Sequence, residues 1–199
     1  MRDFDPVRLG NAEADAWVCY YLRRWRPFLR ASVTMVRVGF GLSWPDTLRG
    51  AWWVLRANQA WAPFPDNDPD AARAYMRRFY ALVARRGRET FDVDEAARLE
   101  VEWWRVHRAT QHEGASFDSL VGAVADLYSH VYGVPVASVR SAAEGRAEGM
   151  RISDRWVADG CDPASPAIEA ERAALVRGYT DLRDAVRRPG PGLRPAASS

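Results

Sequence analysis

Apolar residues recur along most of the chain at intervals of three and four positions, the spacing that places them on one face of an α-helix. No stretch alternates apolar and polar residues for long enough to predict a β-sheet. Gly, Pro and capping residues divide the pattern into about seven segments. We therefore expect an all-α fold, a bundle of about seven helices.

The helix boundaries follow from these interruptions. The first predicted helix runs from about Ala12 to Gly39, and a break where Pro27 follows Arg26 is an alternative. The next six are expected over 43–61, 69–87, 92–114, 116–133, 135–160 and 165–187. This pattern predicts a single helical domain over 1–187. The Pro, Gly, Ala and Ser residues of 188–199 predict a disordered tail.

The second predicted helix, over 43–61, is apolar on nearly every side. Leu48, Trp52 and Leu55 share one face, and further apolar residues surround the rest of the helix. A helix without a polar face is usually buried on all sides. We therefore expect this hydrophobic helix to lie at the centre of the bundle.

Charge and composition narrow the set of partners. All 28 basic side chains are Arg, and a net charge of only +2 argues against a nucleic-acid footprint spread over the whole protein. No apolar run approaches the length of a membrane span and no secretory signal is visible, so we expect no membrane partner. Cys19 and Cys161 lack the spacing of a metal or haem site, and we expect reduced thiols in the cytoplasm.

Three polar side chains fall within or beside predicted apolar faces. Arg146 lies on the apolar face of the sixth predicted helix, and Gln59 lies on the apolar face of the second. Arg24 lies at the edge of the apolar face of the first. A buried guanidinium needs a carboxylate or a bound anion as its partner. Both alternatives stay open: an internal ion pair that fixes the helix register, or an anionic ligand.

Two predicted helices repeat one spacing of polar and aromatic residues. In each, side chains at i, i+4, i+7 and i+11 form a strip beside the apolar face. Strips that face each other would line an aromatic-walled cleft. Otherwise they are boundary residues, with Trp covering the rim of the core and Glu paired with Arg. The two strips are Glu13, Trp17, Tyr20 and Arg24, and Glu100, Trp104, His107 and Gln111.

The first functional hypothesis is an internal pocket that binds a small anionic or carboxylated ligand. Arg24 and Arg146 would bind the anion, while Gln59 and Gln111 would orient it. The pocket walls would be aromatic. The wall residues are Tyr20 and Trp104.

His107 is the candidate for acid–base chemistry in this pocket, because imidazole titrates near neutral pH. Glu100 or Glu13 would assist it. The sequence defines no cofactor. The missing HExxH and Glu-x-x-His motifs argue against a metal site.

The second hypothesis is a non-enzymatic interaction or regulatory module. Arg23, Arg26 and Arg30 cluster opposite the apolar face of the first predicted helix. Such a stripe would dock an acidic partner or a nucleic acid, and the binding would weaken with salt.

The sixth predicted helix carries a face of unusually small residues. Small side chains let another backbone approach closely, either within the bundle or across a homodimer contact. These residues are Ala142, Ala143, Gly145, Ala147 and Gly149.

Two segments resemble an uncharacterised group of helical proteins from high-GC actinobacteria. They are LRANQAWAPFPDNDPD, from Leu55 to Asp70, and LEVEWWRVHR, from Leu99 to Arg108. The resemblance extends over most of residues 11–187. It implies no activity, substrate or catalytic residue.

Overall fold

A computed structural model describes residues 1–187 of the chain. Over these residues it contains eight α-helices and no strand, so the expected all-α bundle is confirmed. The tail predicted over 188–199 lies outside the described residues. The helices are α1 (Pro6–Tyr21), α2 (Trp25–Phe40), α3 (Trp44–Trp61), α4 (Pro69–Gly87), α5 (Val93–His112), α6 (Phe117–Tyr132), α7 (Val136–Ala158) and α8 (Ala167–Arg187).

The eighth helix arises because the first predicted helix is divided into α1 and α2. The chain turns at Arg23, whose φ of 56° lies in the left-handed region. The turn has a steric cause, since the ring of Pro27 would collide with the Arg23 carbonyl in a continuous helix. The break therefore falls four residues before Pro27, and the uninterrupted helix is wrong.

The expected start of the first helix, near Ala12, is also wrong. The helix begins at Pro6 rather than near Ala12. Asp5 caps it, because its side chain accepts a hydrogen bond of 3.0 Å from the Arg8 backbone N–H. An Asp cap followed by Pro also begins α4, at Asp68 and Pro69, and the expected start of that helix at 69 is correct.

The helices form a closed circuit in which each packs against its neighbours in sequence, and α8 also packs against α1. The closest approach joins α7 to α8. A Cβ placed on Gly145 would lie 2.6 Å from the Cα of Gly178, so the two backbones touch without intervening side chains. The small-residue face of α7 is therefore covered by α8 of the same chain. The expected homodimer contact through this face is wrong, and the alternative within the bundle is correct.

The hydrophobic helix α3 lies at the outside of the bundle, not at its centre. Trp44, Leu48 and Trp52 occupy successive turns and are each 58% exposed. The expected central position is wrong because α3 contacts α4 through Gly50, where a Cβ would lie 3.3 Å from the Phe79 ring. The other apolar residues on this side, among them Trp53, Val54 and Trp61, are only partly buried against the core. The buried residues of α3 are Asp46, Thr47, Gly50 and Ala57.

We expect Gly145→Ala to lower the free energy of unfolding by about 2–3 kcal/mol, because the new methyl group overlaps the α8 backbone. Gly122→Ala is the matched control. Gly122 is also helical, but a Cβ there would meet no atom within 4 Å. The control should gain about 0.5–1 kcal/mol from reduced backbone entropy. Urea unfolding followed by circular dichroism measures both, and equal effects would contradict the proposed contact.

Candidate functional site

Arg146 lies in the interior and is bound by a carboxylate of the same chain. Its Nε and Nη2 atoms donate to Oε1 of Glu13 at 3.1 and 3.0 Å. Tyr179 donates its hydroxyl hydrogen to Oε2 of Glu13. The guanidinium carbon lies 4.8 Å from the centroid of the Trp103 ring. Of the two partners that the sequence left open for Arg146, the structure therefore contains the carboxylate.

Glu100 is a second carboxyl group whose charge interacts with that of Arg146. Oε2 of Glu100 accepts a hydrogen bond of 2.6 Å from the Tyr80 hydroxyl. Burial raises the pKa of Glu100, while the positive charge of Arg146 opposes that rise. The guanidinium thus interacts with carboxylates on both α1 and α5. Both candidate acid–base carboxylates are committed to this internal network.

His107 and Gln111, both on α5, converge on one carboxylate of α7, that of Asp154. Nε2 of His107 lies 2.9 Å from Oδ2 of Asp154, and Nε2 of Gln111 donates to Oδ1 at 2.7 Å. The His107 side chain is 13% exposed, so this cluster lies at the rim of the interior. No three His, Cys, Asp or Glu side chains among residues 1–187 are grouped closely enough to hold a metal ion.

Glu171 of α8 is a buried carboxyl group that the sequence interpretation missed. It is only 1% exposed, and within the described residues its Oε1 atom has no hydrogen-bond partner. Burial, reinforced by the nearby charge of Glu13, raises its pKa to about 8. The carboxyl group is therefore largely protonated at neutral pH. A signal was available, because Glu171 falls between Ile168 and Leu175 on the apolar face of the last helix.

Trp104 is buried, whereas four other predicted ligand-binding residues, Tyr20, Arg24, Gln59 and Gln111, are exposed. Trp104 packs against Trp61 with ring centroids 6.1 Å apart. Tyr20 is 40% exposed, and Arg24 is exposed at the start of α2. Gln59 is exposed and accepts a hydrogen bond of 3.0 Å from Arg56.

The interior positions expected for Arg24 and Gln59 are wrong, for two different reasons. The chain turns before Arg24, so the helix that would have carried it inward has already ended. Gln59 does share a face with Trp52, but that face of α3 points to solvent. The structure consequently brings together Glu13, Arg146 and Glu100, and separately His107 and Gln111, but neither Arg24 nor Gln59.

A second candidate site lies on the surface at the α1–α2 turn. We define the arginine face as Arg23, Arg24, Arg26 and Arg30, all of which are exposed. Among the residues that the structure describes, none of the four has an ion-pair partner. The surrounding sequence explains this, since residues 16–45 contain no acidic residue. The arginine face is therefore a patch of uncompensated positive charge.

The next acidic residue along the chain, Asp46, does not neutralise this patch. It is buried, and its carboxylate forms an ion pair of 2.9 Å with Arg86 of α4. It also accepts a hydrogen bond of 2.8 Å from the Ser43 hydroxyl. The charge of Asp46 is thus engaged within the bundle.

No protein-family model, no curated protein and no solved structure matches the chain. Its function is therefore inferred from the chemistry of its own residues. These form two groups, polar side chains that bind one another inside the bundle and arginines that face solvent without a partner.

We expect Arg146→Met to lower the free energy of unfolding by about 3–5 kcal/mol, because it leaves the buried Glu13 carboxylate without its counter-charge. The double variant Glu13→Leu with Arg146→Met should recover most of this loss. Arg151→Met is the control on the same helix, since its ion pair with Glu148 is exposed and contributes less than about 1 kcal/mol. Urea unfolding of the wild type and of these three variants measures the loss and its recovery, and a double variant as unstable as Arg146→Met would contradict the expected recovery.

Glu171 should make the stability depend on pH. In the unfolded chain the Glu171 carboxyl group has its ordinary pKa of 4.5 and loses its proton above that pH, whereas in the folded chain it keeps the proton up to about pH 8. The free energy of unfolding therefore falls as pH rises from about 5 to 8. In the wild type this decrease in the free energy of unfolding should amount to roughly 3–5 kcal/mol, and in Glu171→Gln it should be absent. Glu169→Gln, an exposed neighbour on α8, should leave the fall unchanged. Urea unfolding across this pH range measures the slope, and identical slopes for wild type and Glu171→Gln would refute the assignment.

Proposed function

We propose that the protein is a non-enzymatic interaction module that binds an anionic partner through the arginine face. The observation that carries this proposal is the exposure of four unpaired arginines in a segment without acidic residues. Guanidinium groups bind phosphate and carboxylate oxygens with paired hydrogen bonds, so a polyanion is the natural partner.

The charge of the neighbouring segment supports a surface of this kind. Residues 16–65 contain seven arginines and one acidic residue, Asp46, which is buried. The arginine face is therefore continuous along the chain with further positive charge on α2 and α3. Such a field steers an anionic partner toward this side of the molecule and strengthens the encounter at low salt.

Binding of a small acid in the interior is the weaker candidate. Arg146 already binds Glu13, and His107 and Gln111 are engaged by Asp154. An acid entering this region would meet carboxylates that repel it. A surface cavity of about 440 Å³ is present between α4 and α5, but none of the predicted site residues lines it.

The first test is retention on immobilised heparin, a soluble polyanion that serves as the probe. We expect the wild-type protein to bind and to be eluted by salt. The triple variant Arg23→Gln, Arg26→Gln, Arg30→Gln should elute at lower salt, and the slope of log K against log salt should fall by about three.

A charge-matched variant controls for the change in net charge. Arg98, Arg105 and Arg151 are also exposed, but each is bonded to a glutamate three residues earlier in the chain. Changing these three to Gln should alter retention much less. If the two triple variants elute together, the arginine face has no special role and the proposed function is wrong.

A further inference from the structure

Exposed aromatic side chains accompany the arginines at the α1–α2 turn. Tyr20 contacts Trp25 and Phe28, with ring centroids 6.2 and 5.8 Å apart. Trp25 is 55% exposed, and Leu29, one turn further along α2, is 48% exposed. We define the aromatic corner as Tyr20, Trp25, Phe28 and Leu29. Large apolar side chains grouped on a surface mark an interaction site.

The arginine face and the aromatic corner belong to the same short segment. Arg23 and Arg24 connect α1 to α2, and Arg26 and Arg30 each follow directly after a residue of the aromatic corner. A partner that approaches one group therefore meets the other. It must offer anionic oxygens to the guanidinium groups and an apolar environment to the indole ring and the leucine.

The neighbouring helix adds to the exposed apolar surface. Trp44, Leu48 and Trp52 line one face of α3, which packs beside α2. Trp44 is also covered by the guanidinium of Arg37, 4.2 Å from its ring centroid. Two adjacent helices thus combine exposed tryptophan with arginine.

We propose that the anionic partner is the surface of a lipid bilayer that contains acidic lipids, with Trp25 and Leu29 inserted at the level of the headgroups. This inference rests on the proposed function and names the partner of the same face. Tryptophan is favoured at the boundary between headgroups and acyl chains, and arginine binds the phosphates above it. A nucleic-acid duplex would satisfy the arginines but offers no apolar layer in which Trp25 and Leu29 could be buried together.

The bilayer is bound at its surface and is not crossed. Within the described residues, no helix combines the length and the apolar character needed to span a membrane. The sequence expectation of no membrane partner rests on the lack of a membrane-spanning run and of a visible secretory signal, and binding at the bilayer surface requires neither. Each arginine near an acidic leaflet strengthens partitioning about fivefold, so three of them account for roughly 100-fold.

The test is co-sedimentation with vesicles of phosphatidylcholine alone or mixed in equal parts with phosphatidylglycerol. We expect the wild-type protein to sediment with the acidic vesicles, to remain in solution with the neutral ones, and to be released by salt. The Arg23, Arg26 and Arg30 to Gln variant should bind the acidic vesicles about 100-fold more weakly.

The apolar contribution is tested separately with Trp25→Ala combined with Leu29→Ser. Both side chains are about half exposed, so the variant should fold like the wild type, with a slightly lower melting temperature because the contacts of Trp25 with Tyr20 and Phe28 are lost. This variant should lose at least tenfold in vesicle affinity while its retention on heparin is unchanged. Phe117→Ala, at an aromatic side chain of 40% exposure on α6, is the control and should bind vesicles like the wild type.

The outcomes separate this inference from the proposed function. If the wild-type protein is retained on heparin but ignores acidic vesicles, the lipid partner is refuted while the proposed function stands, and binding to an oligonucleotide then identifies a nucleic acid. If Trp25→Ala with Leu29→Ser binds vesicles as tightly as the wild type, the insertion of the aromatic corner is wrong. If neither heparin nor vesicles bind, both proposals fail.

Discussion

The ion pair between Arg146 and Glu13 is the contact on which the arrangement of the interior depends. Removing two charges from water costs more than their attraction returns unless the remaining hydrogen-bonding positions are filled. Tyr179 occupies the second oxygen of Glu13, and Trp103 covers the guanidinium. These groups come from α1, α5, α7 and α8. A shift of any one of these helices along its axis would disrupt the network around a buried charge, so the network sets their relative register.

Much of the fold could be predicted from the sequence because local signals determine where helices begin. Four of the predicted helices begin at a residue whose side chain accepts a backbone hydrogen bond, and each of these residues is of a type that favours the cap position: Ser43, Asp68, Asp92 and Ser116. The position of α3 could not be predicted in this way. When a helix is apolar on every side, periodicity does not identify the packed face. The glycine contact with α4 decides it, and that contact depends on a partner distant in the sequence.

The candidate site was predictable in its residue types and less so in its geometry. The periodicity of one helix is enough to predict that Arg146 lies in the core and needs an anionic partner. That partner, Glu13, could not be predicted, because it lies 133 positions earlier in the chain and on another helix. Glu171 was missed because one glutamate in an apolar stripe gives a weak signal. Three members of the arginine face, Arg23, Arg26 and Arg30, could be predicted because they lie opposite the apolar face in a segment without acidic residues. Arg24 could not, because its exposure depends on the turn between α1 and α2.

The closed circuit of helices also determines which helix contact has the largest loop-closure cost in folding. All the principal helix contacts except that between α1 and α8 join neighbours in sequence, and such contacts close only short loops. The largest single loop-closure cost of the fold therefore arises when α8, together with α7, docks onto α1. Arg146, Glu13 and Tyr179 form their network across this seam. The charges that set the register are therefore desolvated only when the two ends of the described chain meet.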